Sequence, residues 1–440
     1  MQRALSFDHL PPLALPMRFL MSVPLFAALA AGLLAWHGEA ALVTRWSPLT
    51  LALTHLLTLG CLSMAMIGAL LQILPVMAGI AVPGGSRTAN TMHGALCAGT
   101  LLLAAAFLVG HALLFAGALA CLGVAFFLLL GCCTIGLWQQ FPGGADASLA
   151  AIRLALGALV VTVVLGLWMG AALAWPRALP PPLSLPLLAD LHAAWGLLGW
   201  VALLIVGVAF QVVPMFLVTE PYPRWISGGY TTMLFLLLVA SSLSAGIAGP
   251  FRHAALLLLG AGYVAFAWVT LRLLARRKRP RADAATLFWR TAMLALPAAL
   301  ARGLLPADPA LDVACGVLLV VGFALSTING MTYKIVPFLS WYHLRHAHGM
   351  GLSGGAPASV PPVHRMLPDG AARGQYLLHA AALLALVAAC AWPAQLARPA
   401  GALLCVSCLA WFANLAAALR AGRVPPAARG AVLDTAGAGR

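Results

Sequence analysis

Four histidines sit within long apolar runs, and through them this chain could do chemistry. His55 and His192 each lie near the start of a long apolar segment, and His93 and His379 each sit a short way into the segment that follows such a one. An ionisable or metal-binding side chain in a membrane helix is costly and by default marks a functional cavity. Neutral imidazole is also a common ligand of haem iron and copper. His55 and His192 are therefore expected to bind a metal or haem, with His93 and His379 as further cofactor-binding candidates. The plainer reading of each is an interfacial histidine bonded to a neighbouring helix. Asp190 precedes His192 by two residues and is either the partner that orients its imidazole or an exposed loop acid. His343, His346 and His348, in "WYHLRHAHG", form either a surface metal patch or a solvated basic loop.

A second set is polar without being catalytic. Gln72, Gln211 and Lys334 occupy one slot in three similar segments and are expected to form a polar cluster toward the inner side. Lys334 would snorkel to the interface, line a polar path or meet a haem propionate. Carboxylates are scarce: the two glutamates, Glu39 and Glu220, fall in loops, and no aspartate lies deep in an apolar run. That weighs against a proton pump or proton-coupled transporter. The chain carries no nucleotide-binding glycine fingerprint, no Walker motif and no serine-hydrolase elbow.

The segments that must position these residues repeat. "THLLTLGCLSMAMIGALLQILPVMAG" holds Gly60, Gly68, Gln72 and Pro75. "HAAWGLLGWVALLIVGVAFQVVPMF" holds Gly199, Gly207, Gln211 and Pro214, and "VGFALSTINGMTYKIVPF" holds Gly322, Gly330, Lys334 and Pro337. The spacing is the same each time. The copies lie 139 and 123 residues apart, which at about 30 residues per helix and loop is four helices per unit. With 63% hydrophobic and 8% charged residues and a mean hydropathy of +0.99, the class is an all-α polytopic membrane protein. The runs are continuously apolar, which excludes a β-barrel.

About twelve spans are expected, at roughly 17–36, 50–79, 91–110, 112–138, 149–175, 187–218, 228–248, 252–275, 285–304, 311–343, 374–393 and 399–420. They group into three pseudo-symmetric four-helix arcs, 17–138, 149–275 and 285–420, inside one membrane domain, 1–425, with a disordered cytoplasmic tail at 426–440. The lead "MQRALSFDHLPPLALPMRF" is polar and is expected to be no cleavable signal. Net charge is +15, but the basic residues sit in loops and tails, as in "RLLARRKRPRAD", so they report orientation rather than nucleic acid. The positive-inside rule places both termini in the cytoplasm of an inner-membrane protein. The nine cysteines lie mostly within apolar runs and read as small packing residues.

With histidines in the second and sixth of twelve helices, the chain resembles the catalytic subunit of haem–copper oxidases. "LHAAWGLLGWVALLIVGVAFQVVPMF" is similar to that family's histidine helix, and "PMRFLMSVPLFAAL" followed by a histidine-led helix resembles the NnrS-type proteins, which are haem- and copper-associated. The resemblance implies that His55 is a haem ligand and His192 a copper ligand. It also calls for histidines in the tenth and seventh helices, which this chain lacks; Cys315 is the nearest soft ligand in the tenth. The resemblance therefore implies an oxidase-subunit-I-like scaffold with an incomplete ligand set. It would bind haem b, copper or both, in nitric oxide, respiratory or metal homeostasis, beside respiratory-chain or nitric-oxide-metabolism proteins, with no oxygen reduction of its own. Two other classes stand beside it: a secondary transporter or permease for a small solute, and a cofactor-free assembly factor of a respiratory complex. Prolines near helix ends rather than mid-span favour the cofactor scaffold over the transporter.

Overall fold

In hydrocarbon, a backbone N–H or C=O can be satisfied only by the chain itself, so apolar runs of this length become helices. The computed structural model describes residues 11–79, 83–139, 147–178, 183–244, 250–349 and 362–422, and among them there is helix but no strand. The tail expected at 426–440 and much of the loop expected at 344–373 lie outside the described residues. Among the described residues, eleven helices are long and apolar enough to cross a membrane. They are α1 (Ala14–Ala41), α2 (Pro48–Val76), α3 (Gly85–Val109), α4 (Ala112–Leu137), α5 (Ala147–Ala174), α6 (Leu185–Leu217), α8 (Phe251–Ala275), α9 (Ala284–Leu304), α10 (Pro309–His346), α11 (Asp369–Ala391) and α12 (Pro393–Ala421). The twelfth expected span, α7, is described only as Tyr230–Leu243. Its 14 residues reach about 21 Å, short of a hydrocarbon core of about 30 Å.

The repeated glycines are where helices meet. Gly60 and Gly68 of α2 face Phe26 and Phe19 of α1, with the Pro16 carbonyl beside the second glycine. Gly199 and Gly207 of α6 face Ala158 and Ala151 of α5, with the Ser148 carbonyl in the same place. Gly322 and Gly330 of α10 face Ala295 and Phe288 of α9, with the Ala285 carbonyl. In every unit the glycine pair is read in reverse by two residues seven apart, and the carbonyl belongs to the residue three before the second of them. A Cβ on Gly199 would sit 2.7 Å from the Ala158 Cβ, and one on Gly322 2.7 Å from the Ala295 Cβ. Only a bare backbone lets the helices approach so far.

Each of these helices also widens into a π turn around its first glycine, at Thr58–Ser63, Trp195–Ala202 and Leu318–Leu325. Such turns shift the register of side chains and are frequent at functional sites. The repeated prolines stay within the helices. Four residues past Pro75 and Pro214, the first two units end in the left-handed conformation, at Gly79 and Val218. After Pro337 the helix runs on to Gly349, so the expectation that the prolines sit near helix ends fails in the third unit.

The units join end to end: α4 packs on α5, α8 on α9, and α12 returns to α1. The last contact again uses a glycine, since a Cβ on Gly401 would lie 2.6 Å from the Ala35 nitrogen. The ring places α6 and α2 innermost, 72% and 67% buried against 33% for α4 and α12.

Two expectations follow. Val218 is the one non-glycine residue with positive φ among the described residues, at 56°, a conformation that costs a residue with a Cβ roughly 1–2 kcal/mol. Val218→Gly should raise the thermal midpoint in detergent, and a lower midpoint would contradict the strain. Gly207→Val should lower the midpoint, by about 1–3 kcal/mol of overpacking against Ala151, whereas Gly260→Ala, which meets nothing within 4 Å, should not.

Candidate metal centre

The N-terminal parts of α2 and α6, ahead of their π turns, bring His55 and His192 together as a stacked pair, with ring centroids 6.3 Å apart and ring planes 20° apart. The His55 Nδ1 lies 2.8 Å from the Leu51 carbonyl one turn back in its own helix. The His192 Nδ1 lies 3.0 Å from the Thr162 carbonyl of α5. A carbonyl can only accept, so each Nδ1 carries the hydrogen and each Nε2 keeps its lone pair. No hydrogen bond engages either Nε2 among the described residues. Both rings border a cavity of about 650 Å³ between the units, and Leu59, Leu197 and Val320 of the three π turns help to line it. Phe107 of α3 covers His55, with centroids 5.2 Å apart.

Charged residues from the three units meet beside the cavity, which Arg45 and Asp312 help to line. Arg45, from the turn between α1 and α2, holds Asp190 of α6 at 2.7 Å and approaches Asp312 of α10 at 3.7 Å. Asp312 is held in turn by Arg302 at 2.8 Å, and the Arg45 guanidinium stacks over Trp46. Asp190 thus pairs with Arg45 and does not orient His192. Its side chain points to the better partner, a guanidinium, while the imidazole takes a backbone carbonyl. Neither arginine was expected at the site, although Arg45 stands only ten residues before His55.

His93 and His379 occupy matching places but do not line this cavity. His93 meets the edge of Phe19 at 5.1 Å and His379 lies 5.2 Å from Phe288, the two phenylalanines being the same position in their units by the glycine contacts. The Nε2 of His93 bonds the Ser22 hydroxyl at 2.8 Å, and that of His379 bonds the Ser326 hydroxyl at 2.8 Å. These are interhelical hydrogen bonds. Cys315 does line the cavity, in the register of His192, but its thiol is turned to the Ala299 carbonyl at 3.4 Å. Both nitrogens of His343 face carbonyls, of Leu339 and Pro11, and His346 stacks on Tyr342. No group of three or more His, Cys, Asp or Glu side chains that could hold a metal occurs among the described residues.

The slot of Gln72, Gln211 and Lys334 is not joined by hydrogen bonds in the structure. Lys334 pairs instead with Asp283 at 2.6 Å. Asp283 also caps α9, accepting from the Thr286 backbone N–H at 3.0 Å and its hydroxyl at 2.8 Å. This ion pair is the contact the structure shows for Lys334. The Gln72 Oε1 is buried without a partner. Sequence reasoning also missed the polar packing of the third unit, where the Tyr333 hydroxyl donates to Gln375, Gln375 to Ser407, and the Trp411 indole to Thr332. The signal was present as the polar run Ser326–Lys334 inside an apolar helix.

No protein-family model matches the chain, and no curated protein matches it.

Burial by itself would raise the Asp283 carboxyl, but the Lys334 ammonium and the Thr286 donors hold it below the ordinary carboxylate range. Its contribution to stability is then complete above the unfolded value, about 4, and is lost as pH falls through the lower folded value. Thermal midpoints taken from pH 7 to pH 3 should decline at the acid end in the wild type, and Asp283→Asn should be less stable at pH 7 with a flatter acid limb. Equal midpoints at pH 7 would contradict the pairing.

Proposed function

We propose that this polytopic membrane protein holds one metal centre, haem iron or copper, between His55 and His192. The observation that carries the reading is the pair itself: two near-parallel imidazoles from different units, each with Nδ1 fixed on a carbonyl and no hydrogen bond at Nε2, bordering one apolar cavity. One ion bonded to both nitrogens at about 2.0–2.1 Å would keep the two centroids within on the order of 6 Å, the scale of the 6.3 Å between these near-parallel rings. The donor set narrows the metal. Nitrogen donors without a carboxylate disfavour calcium and magnesium. A closed structural zinc site needs four protein ligands, twice what the pair supplies. Two imidazoles suffice where the remaining donors come with the group, as in haem, or where a soft copper ion accepts few ligands. Such a group would supply one-electron chemistry or small-ligand binding.

The reading keeps the two histidines that the resemblance to haem–copper oxidase subunits and NnrS-type proteins singles out, but puts both on one metal instead of His55 on haem and His192 on copper; a role in nitric oxide, respiratory or metal homeostasis would follow from it. Basic residues in the turn after α8 support an orientation with both termini in the cytoplasm of the inner membrane. The protein would work in contact with the lipid bilayer.

Metal analysis and the absorption spectrum of protein purified after respiratory growth test the reading. A Soret band or copper near one per chain is expected, and His55→Ala and His192→Ala should each abolish it, while His93→Ala and His379→Ala should retain it. Wild type lacking both cofactors would overturn the metal reading and favour a permease for a small solute, which the central cavity would equally serve.

A further inference from the structure

His192 takes its hydrogen bond from another helix, and one residue makes that reach possible. In an α-helix the carbonyl of residue 162 points at the N–H of residue 166, whose side chain stands beside the bond. An imidazole that approaches the Thr162 carbonyl from the side must pass over residue 166. That residue is glycine. A Cβ there would lie 2.9 Å from the His192 Cε1 and 3.4 Å from its Nδ1, closer than a side chain tolerates. The carbonyl has two lone pairs and can serve both the helix and the imidazole. Gly166 borders the same cavity as the histidine pair. The Thr162 hydroxyl is turned away, bonding the Ala158 carbonyl at 2.8 Å, and so leaves the carbonyl to His192. His55 needs no such gap, because it uses a carbonyl of its own helix.

We infer that Gly166 is the positioning residue of the metal centre: its bare backbone is the seat on which the His192 ring lies, with Nδ1 on the Thr162 carbonyl. The inference rests on the reading that His192 is a ligand. Adding one methyl group at residue 166 would lift the ring from the carbonyl and free its tautomer. The centre would lose the geometry of one ligand without losing the ligand. Loss of such an orienting contact weakens metal binding by about 10- to 100-fold.

The test compares wild type, Gly166→Ala and Gly157→Ala. The last is on the same helix, where a Cβ would meet only the Phe235 Cζ at 4.0 Å, so it controls for the alanine itself. Copper(I) and haemin are titrated separately into the metal-free full-length protein in detergent. Histidine-nitrogen NMR of the same metal-free samples reports the tautomer of His192, identified by its loss in His192→Ala. Gly166→Ala should bind at least tenfold more weakly and lose the Nδ1-protonated signal, with a thermal midpoint near that of Gly157→Ala. Wild-type binding and an unchanged signal in Gly166→Ala would overturn the inference. If wild type binds neither probe, the metal reading fails, yet the NMR comparison still decides whether Gly166 seats the ring. If Gly166→Ala fails to fold, Thr162→Ala is expected to keep both signal and binding, because only its backbone oxygen is used; loss of either would overturn the inference.

Discussion

Backbone contact at paired glycines is the constraint from which the rest of this structure follows. Lipid tails are as apolar as leucine, so two helices in a bilayer gain little from burying apolar side chains against each other. They gain by close packing, and Gly60 with Gly68, Gly199 with Gly207 and Gly322 with Gly330 provide it against α1, α5 and α9. The contacts fix the depth and rotation of α2, α6 and α10. The π turns at the same level then re-aim the side chains that follow. A cavity lies among these three helices, lined by residues of different units.

Polar groups inside this scaffold are satisfied in three ways, and each marks a different use. At the helix ends full charges pair: Arg45 with Asp190 and Asp312, and Lys334 with Asp283. Between the helices of the third unit, hydroxyls, amides and an indole bond one another, fixing α10, α11 and α12 more firmly than glycine contacts alone. Around the cavity the imidazoles are bonded on one side only. A half-satisfied polar group in an apolar wall is costly unless something completes it. His93 and His379 illustrate the contrast, because a serine hydroxyl meets the nitrogen that His55 and His192 leave open.

Much of this was legible in the sequence. The Gly–Gly–polar–Pro spacing marked α2, α6 and α10 and their contact faces, since the requirement for a bare backbone is local and leaves a glycine behind. The meeting of His55 and His192 followed from their places near the starts of equivalent helices. What could not be read depended on geometry between units. Asp190 chose Arg45, far away in sequence, over the histidine two residues on. Lys334 chose Asp283, 51 residues away in sequence. The π turns leave no composition signal, so the side chains they re-aim were beyond prediction, and Cys315 in the register of His192 turned out to face a carbonyl. Gly166 was visible as one glycine among 43, and only the histidine lying against it distinguishes it.

The central claim is that imidazoles from two units bind one metal. X-ray absorption at the metal edge of the wild-type protein addresses it most directly. The account predicts two imidazoles per metal, with nitrogen at about 2 Å and the outer-ring scattering that identifies histidine. A coordination shell dominated by sulfur or by carboxylate oxygen would contradict it.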